Sequence, residues 1–317
     1  MSLAHATPLR MRPPARGAFE AALIAGLRQM PKRLPCKYFY DRQGSLLFEQ
    51  ICRLREYYPT RTETALLRTH ATEMAALIGE DAELVEFGAG SLQKVGILLD
   101  AMTSPRRYVP IDISSDYLTA MAAQLGRRYP GLSVKPHIAD FTQPICLPAP
   151  QGRRVGFFPG STIGNFERAE AIAFLRRAAA LLKGSGLLIG ADLVKDPAML
   201  HAAYNDAAGI TAAFNKNILA RANREADADF DLEAFAHYAF YEPRLQRVEM
   251  HLVSLERQRV GVAGVDIGFE EGETIHTENS HKYTIEGFRE LTRQAGFVPR
   301  AVWCDPAQLF SIHWLEA

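Results

Sequence analysis

The sequence predicts an α/β fold, a mostly parallel sheet covered by helices on both faces, with a further region inserted late in the chain. Three observations predict it. Short apolar runs of strand length alternate with helix-length segments between Glu83 and Val194. The rhythm breaks after Asp196, where helical sequence and then an antiparallel strand pattern take over. A helix and a hairpin then close the chain.

The elements follow in order. Residues 1–16 read as frayed, and Gly17 to Gln29 has helical apolar spacing. An aromatic loop leads to a short helix from about Ser45. Pro59 marks a turn, and the next helix takes Thr60 or Thr62 as its cap, with Glu63 completing a capping box from Thr60. ELVEFG is the first strand of the alternation, followed by a helix over Leu92 to Met102. RYVPIDIS is the second, followed by a serine-capped helix over Ser115 to Tyr129. SVKPHIADF is a third strand region and RRVGFFPG a fourth. A helix over residues 167–182 stops at KGSG, and LLIGADLV is the fifth strand. Crossovers in such a sheet are right-handed. Residues 197–225 are mostly helical with a break near Gly209. RVEMHLVSLERQRVGV alternates as antiparallel strand. HKYTIEGFRELTRQAGF turns into a helix, and PRAVWCDPAQLFSIHWLEA folds as two strands around DPAQ.

Composition narrows the function. The chain has 317 residues, 48% of them hydrophobic, enough for two domains or one elaborated domain. Lys plus Arg and Asp plus Glu both number 36, so there is no global attraction to nucleic acid. No apolar run is long enough to span a bilayer, and the N-terminus has no signal-peptide core. Cys36, Cys52, Cys146 and Cys304 are scattered, which suggests neither a disulfide framework nor a metal-binding pair. His276 and His281 lie close in sequence without a convincing third ligand, so no metal is expected. The expectation is a cytoplasmic protein.

The carboxyl ends of the strands carry the chemistry. Glu86-Phe87-Gly88-Ala89-Gly90 lets a ligand approach the backbone, although it lacks the third glycine of a dinucleotide fingerprint and also reads as a plain tight turn. Asp112 ends the second strand, where a carboxylate can accept both hydroxyls of a ribose. Asp140 and Phe141 end the third, an acceptor for an adenine amino group and a ring to cover it. Each acid alone can equally be a helix cap. Together they place a nucleoside at the sheet edge. An acid at the glycine turn disfavours phosphates and suits S-adenosylmethionine, whose tail carries a sulfonium and an ammonium. Lys94, one turn into the next helix, can meet the carboxylate of that tail or stand solvated.

At this point the sequence resembles the histidine-specific, S-adenosylmethionine-dependent methyltransferases of ergothioneine biosynthesis, L-histidine Nα-methyltransferases. The resemblance runs from about Pro31 to the end. It rests on KYFYDRQGSLLFEQICRLREYYPTRTE, FFPGSTIGNF, GADLVKD, AYNDAAGITAAFNKNILARANRE, DFDLEAFAHYA and ENSHKY. It implies a Rossmann-like class I methyltransferase sheet and a second α+β substrate-binding domain formed by the N-terminal segment and the insertion. The divisions expected are 1–59, 60–195, 196–282 and 283–317. It also implies a monomer that makes three successive transfers to one amine, with no metal.

Residue by residue, the resemblance implies that Asn165 and Tyr204 hold the substrate carboxylate and that Glu278 and Ser280 grip the imidazole. Tyr57 stands beside the ring, Met250 is an apolar wall and Phe48 a pocket aromatic. Tyr40 and Gly160 sit beside the reacting amine. Gly88, Lys94, Asp112, Asp140 and Phe141 match cofactor contacts, to which the turn reading adds Glu86 and Gly90, and Tyr40 serves both sides. Ala89 stands where related members commonly carry a small hydroxyl residue. Two other readings stay open: a related methyltransferase for another aromatic amino acid, and a nucleoside-binding protein without turnover.

Overall fold

The computed structural model describes residues 16–90 and 92–317. The fraying expected of the N-terminus falls almost wholly outside them. The chain begins with α1 (Arg16–Leu27), β1 (Lys32–Arg33), a 3-10 turn over Cys36–Phe39, α2 (Arg42–Ile51) and α3 (Tyr58–Ile78). Helix α2 starts before Ser45 because Asp41 caps it, accepting from the Gly44 N–H at 2.7 Å. A side chain at 44 would collide with the Phe39 carbonyl, so Gly44 lets this helix close onto the 3-10 turn. Helix α3 also starts early. Proline is tolerated in a first turn, so Pro59 lies inside the helix and the expected threonine cap with its Glu63 box does not form. Glu63 instead falls on the buried face.

The alternating part comprises β2 (Glu83–Phe87), α4 (Leu92–Ala101), β3 (Arg107–Asp112), α5 (Ser115–Arg128), β4 (Ser133–Val134), β5 (His137–Ile138), β6 (Arg154–Phe158), α6 (Arg168–Leu181) and β7 (Gly186–Asp192). The third strand region is split into β4 and β5 around Pro136, which has no N–H to give a ladder. The cap position of α5 is Ser114, and its hydroxyl makes no capping bond. After β7 come α7 (Pro197–Tyr204), α8 (Ile210–Glu225), β8 (Phe235–Glu242), β9 (Arg247–Ser254), β10 (Gln258–Val262), β11 (Val265–Phe269) and β12 (Thr274–His281). Helix α9 (Ile285–Gln294), β13 (Val298–Cys304) and β14 (Phe310–Glu316) end the chain.

The large sheet has the order β13-β14-β7-β6-β2-β3-β4, with β5 also on β3. Strands β2 to β7 pair parallel, while β14 runs antiparallel to β7 and β13 to β14. Every residue of β2, β6 and β7 is buried, as a sheet covered on both faces requires. Leu84, Leu98, Tyr108 and Trp314 fill one face; Val85, Phe158, Phe174 and Phe288 fill the other. This is the mostly parallel, doubly covered α/β sheet that the periodicity predicts, in the Rossmann-like form that the resemblance implies.

A smaller sheet, β1-β12-β9-β8, is antiparallel except for β1. Its core joins Phe19 and Leu23 of α1, Phe39, Ile51 of α2, Phe214 and Ile218 of α8, and Met250 and Leu252 of β9. The N-terminal segment and the region after Asp196 therefore share one core. Strands β1, β8, β11 and β12 are not evident in the sequence reading, and β12 carries the polar run TIHTENSH. The chain leaving β12 lands on the large sheet. The Tyr283 N–H donates to the Asp192 carbonyl and the Val194 N–H to the Tyr283 carbonyl, both at 2.9 Å.

Candidate active site

The carboxyl edge of the large sheet is built around the turn after β2. Gly88 takes φ +70°, and its N–H donates to the Ile111 carbonyl at 2.9 Å. Gly90 donates to the Gly88 carbonyl at 2.8 Å, which tightens the turn. The Phe141 ring lies over it, 3.2 Å from where a Cβ on Gly88 would stand. Asp112 accepts from the Ser114 N–H at 2.9 Å. Burial pushes its carboxyl up to about 6, against the pull of the Ser114 and Ile113 backbone. Asp140 accepts from the Thr142 N–H and from Lys37 Nζ, each at 2.9 Å. Burial opposes its charge, but Lys37 and Thr142 hold it below the ordinary carboxylate range.

Glu86 is placed differently from the sequence picture. It lies wholly buried beneath the turn rather than at its mouth, with Tyr108 donating to it at 2.5 Å. Burial raises it to about 8, while Tyr108 and Lys94 pull down. Its other oxygen has no hydrogen-bond partner among the described residues. Lys94 is also buried and pairs with Glu63 at 2.5 Å. Both Glu63 oxygens accept the Gly160 N–H at 2.9 Å. This ion pair thus carries the turn that starts at Gly160, φ +80°, and leads through Ser161 to the 3-10 turn over Thr162–Asn165. Ser161 accepts from the Asp192 N–H at 2.9 Å, which ties that turn to the end of β7. Gly164 lets it press on β12, since a Cβ there would stand 2.8 Å from the His281 carbonyl.

The second half of the site lies where the two sheets meet. Tyr40 packs edge-on against Phe48 at 5.6 Å, Phe48 against Tyr57 at 6.2 Å, and Tyr57 against Tyr204 at 6.5 Å between ring centres. Burial raises the phenols of Tyr40, Tyr57 and Tyr204, so all three stay protonated near neutrality. Tyr204 donates to Ser280 Oγ at 2.7 Å. Glu278 stands opposite Met250 in the ladder, close enough to Tyr40, Tyr57 and Tyr204 for its charge to act on each. Burial lifts its carboxyl to about 7, with Lys282 pulling the other way. Asn165 reaches Cys36, whose thiol burial pushes up to about 12.

The structure therefore gathers Tyr40, Phe48, Tyr57, Tyr204, Met250, Glu278 and Ser280 into one aromatic-walled group, and Gly88, Gly90, Asp112, Asp140 and Phe141 along one edge. The segment from Cys36 to Tyr40 bridges them, touching Asn165 on one side and Asp140 on the other. Sequence reasoning missed Lys37, Glu63, Asp192 and Lys282. Asp192 and Lys282 lay inside GADLVKD and ENSHKY, and a charge within an apolar strand was the available signal for Asp192.

The histidines group otherwise than their spacing suggests. Glu249, His251 and His276 form one group with metal-ligand spacing among the described residues. The two imidazoles stack at 4.8 Å and 18°, so their in-plane lone pairs run side by side, and Glu249 is already held by Arg247 at 2.6 Å. That geometry suits ring stacking better than coordination.

A family model described as "Histidine-specific methyltransferase, SAM-dependent" matches residues 19–317. The chain is 45% identical over 304 residues to the histidine N-alpha-methyltransferase of Mycolicibacterium smegmatis, covering 94% of each chain. It is 41% identical over 301 residues to the enzyme of the same name from Mycobacterium tuberculosis, covering 93% of this chain and 94% of that one. It is also 32% identical over 295 residues to ergothioneine biosynthesis protein 1 of Neurospora crassa, covering 86% of this chain but 32% of that longer protein. With a match that spans both sheets and the joint between them, the chain belongs to the SAM-dependent, histidine-specific methyltransferase family.

Proposed function

We propose that this protein transfers three methyl groups in succession from S-adenosyl-L-methionine to the α-amine of L-histidine, giving Nα,Nα,Nα-trimethylhistidine (hercynine) for ergothioneine biosynthesis. One observation carries the reading: Glu278 and Ser280, two residues apart on β12, stand with Tyr204 at the joint of the sheets, beside the half-buried aromatic rings of Tyr40, Phe48 and Tyr57. A carboxylate and a hydroxyl so spaced suit the two nitrogens of an imidazole.

The donor edge fits S-adenosylmethionine by its chemistry. Asp112 is an acceptor for vicinal hydroxyls, Asp140 and Phe141 offer an acceptor and a ring face, and buried Glu86, raised to about 8, ionises more readily once a cationic group lies above it. Gly88, Gly90, Lys94 and Tyr40 complete that side. When bound, the donor supplies an electrophilic methyl carbon on sulfonium. On the acceptor side, Asn165 holds the carboxylate with Tyr204 beside it, Glu278 and Ser280 hold the imidazole, and Tyr57, Phe48 and Met250 wall the ring. Gly160 and Tyr40 lie beside the amine. The amine attacks through a lone pair, so positioning supplies much of the rate and a strong acid is not needed. Each transfer requires loss of a proton from the amine. Because burial keeps the Tyr40 phenol protonated, Tyr40 relays that proton to water rather than acting as a base.

The large sheet with its closing helix and hairpin acts as the class I methyltransferase core, residues 60–195 and 283–317. The N-terminal segment and residues 196–282 act as the substrate-binding domain. Their shared apolar core supports this division. The protein works as a cytoplasmic monomer on a free amino acid, without nucleic acid or membrane. Zero net charge supports this, and among the described residues no helix is long and apolar enough to cross a membrane. The test is incubation of purified protein with S-adenosylmethionine and histidine, followed by mass spectrometry. Mono-, di- and trimethylated histidine are expected; methylation of tryptophan or tyrosine in preference to histidine would replace the acceptor.

A further inference from the structure

Lys282 is 2% exposed, and nothing in the reaction outlined above uses it. Its ammonium meets three acceptors. It donates to Ser280 Oγ at 2.7 Å and to Tyr204 Oη at 3.0 Å, and it pairs with Asp192 Oδ2 at 2.9 Å. Asp192 is itself 1% exposed, at the end of β7, and takes further hydrogen bonds from Tyr58 at 2.7 Å and from Lys195. Burial opposes the charge of Lys282, yet Asp192 and Tyr204 together hold it above the ordinary lysine value. The ammonium is therefore always charged, has three protons for three acceptors, and can accept nothing.

That fixes the direction of the hydrogen bonds around it. Ser280 Oγ receives both Lys282 and Tyr204, which fills its two lone pairs. The one thing Ser280 still has to offer a ligand is its own hydrogen. Glu278, the other polar group beside the ring position, offers lone pairs when ionised. A ring that satisfies both must present an acceptor nitrogen to Ser280 and an N–H to Glu278.

We propose that Lys282, anchored by Asp192, is a positioning residue that makes Ser280 a donor and so selects one neutral tautomer of the substrate imidazole. Indole and phenol rings fail this arrangement because neither has an unprotonated ring nitrogen to meet the Ser280 hydrogen. The Tyr204 hydrogen stays on Ser280 in this arrangement, and Asn165 carries the substrate carboxylate. Because Asp192 belongs to the large sheet and Lys282 follows β12 of the small one, the selection is built into the joint between them. This inference rests on the histidine reading given above.

The test uses ring-15N-labelled histidine bound to the protein with S-adenosylhomocysteine. Nitrogen chemical shifts separate protonated from unprotonated ring nitrogens. In the unmodified protein, one nitrogen of each kind in a single tautomer is expected; two protonated nitrogens, or a rapidly averaging pair, would overturn the proposal. Lys282→Met strands no charge, because Asp192 keeps buried Lys195 as its partner. Loss of a charge-assisted hydrogen bond predicts a KM for histidine raised about 10- to 100-fold, a smaller change in kcat, and loss of the single tautomer. Lys282→Arg, also a permanent donor, is expected to restore the tautomer, and unchanged affinity for S-adenosylhomocysteine reports an intact fold. An unaltered KM and tautomer in Lys282→Met would sink the role of Lys282. Absence of histidine methylation by the unmodified protein would sink the functional reading instead.

Discussion

Lys94 and Glu63 form a buried ion pair at 2.5 Å directly beneath the Gly160 turn, and the second task of Glu63 is to accept the backbone N–H of that turn. A residue that its sequence neighbours place in a capping box instead supports the turn that follows β6.

Removing that support has a large expected cost. Glu63→Ala leaves the Lys94 charge and the Gly160 N–H without their partner, and truncating one member of a buried pair costs about 3–5 kcal/mol. Urea denaturation measures it. A loss below about 1 kcal/mol would show that the pair is dispensable, as exposed pairs commonly are.

Glu278 makes the pH dependence specific. Its carboxyl is raised to about 7, so it gains a proton as pH falls through that value and ceases to accept an imidazole N–H. The kcat/KM for histidine is expected to fall on the acid side of about pH 7. Deprotonation of the substrate amine shapes every variant alike, so the ratio of native protein to Glu278→Gln isolates this group. A flat ratio between pH 6 and pH 8 would clear Glu278 of the effect. Glu278→Ala is expected to lower kcat/KM for histidine by about 100-fold or more and to relax rejection of other aromatic amino acids.

Glu86 predicts a stability effect of opposite sense to the usual paired carboxylate. Its folded value, about 8, lies above that of an unfolded glutamate. Its stabilising contribution is therefore complete below the unfolded value and is lost as pH rises through about 8. Without cofactor, Glu86→Gln is expected to melt higher than the native protein at pH 9 and to show a smaller difference at pH 5. Equal differences at both pH values would mean that Lys94 already neutralises Glu86.

Lys37 holds the carboxylate proposed to receive the adenine amino group. The pair is partly exposed, so its worth is at most about 1 kcal/mol. Lys37→Met is expected to tighten donor binding by up to about fivefold, read by calorimetry. Weaker binding would show that Lys37 touches the donor rather than competing with it.

Tyr40→Phe keeps the edge-on packing against Phe48 and Phe214 and removes the hydroxyl. If Tyr40 relays the amine proton, each of the three transfers slows, by about 10-fold or more at a fixed pH. Single-turnover kinetics on histidine and its mono- and dimethyl forms measure each step. Unchanged rates in all three would remove Tyr40 from the relay.

Much of this was legible because periodicity reports burial. Strands β2, β6 and β7 are apolar at nearly every position, and the helix over α6 was found within a residue at each end. The aspartates at the ends of β3 and β5 follow from where parallel strands stop. The polar strand β12 was not legible: TIHTENSH has one apolar residue, Ile275, and polar groups both inside and out, so no period stands out. Its inward hydroxyls, Thr277 and Ser280, are tolerated because Asn215, Tyr204 and Lys282 satisfy them, and Asn215 and Tyr204 come from distant parts of the chain.

By itself the sequence determined the order of strands and helices in the alternating part, the acidic carboxyl edge, and the motifs of a histidine-specific methyltransferase, since each depends on neighbours within a few residues. Tertiary structure alone decided that Glu63 faces Gly160, that Glu86 lies under the turn, and that Lys282 meets Asp192, Ser280 and Tyr204 at one point. Those are pairings of buried polar groups from separate elements. A buried charge must find a partner wherever packing brings one, and the linear spacing of residues carries no record of that meeting.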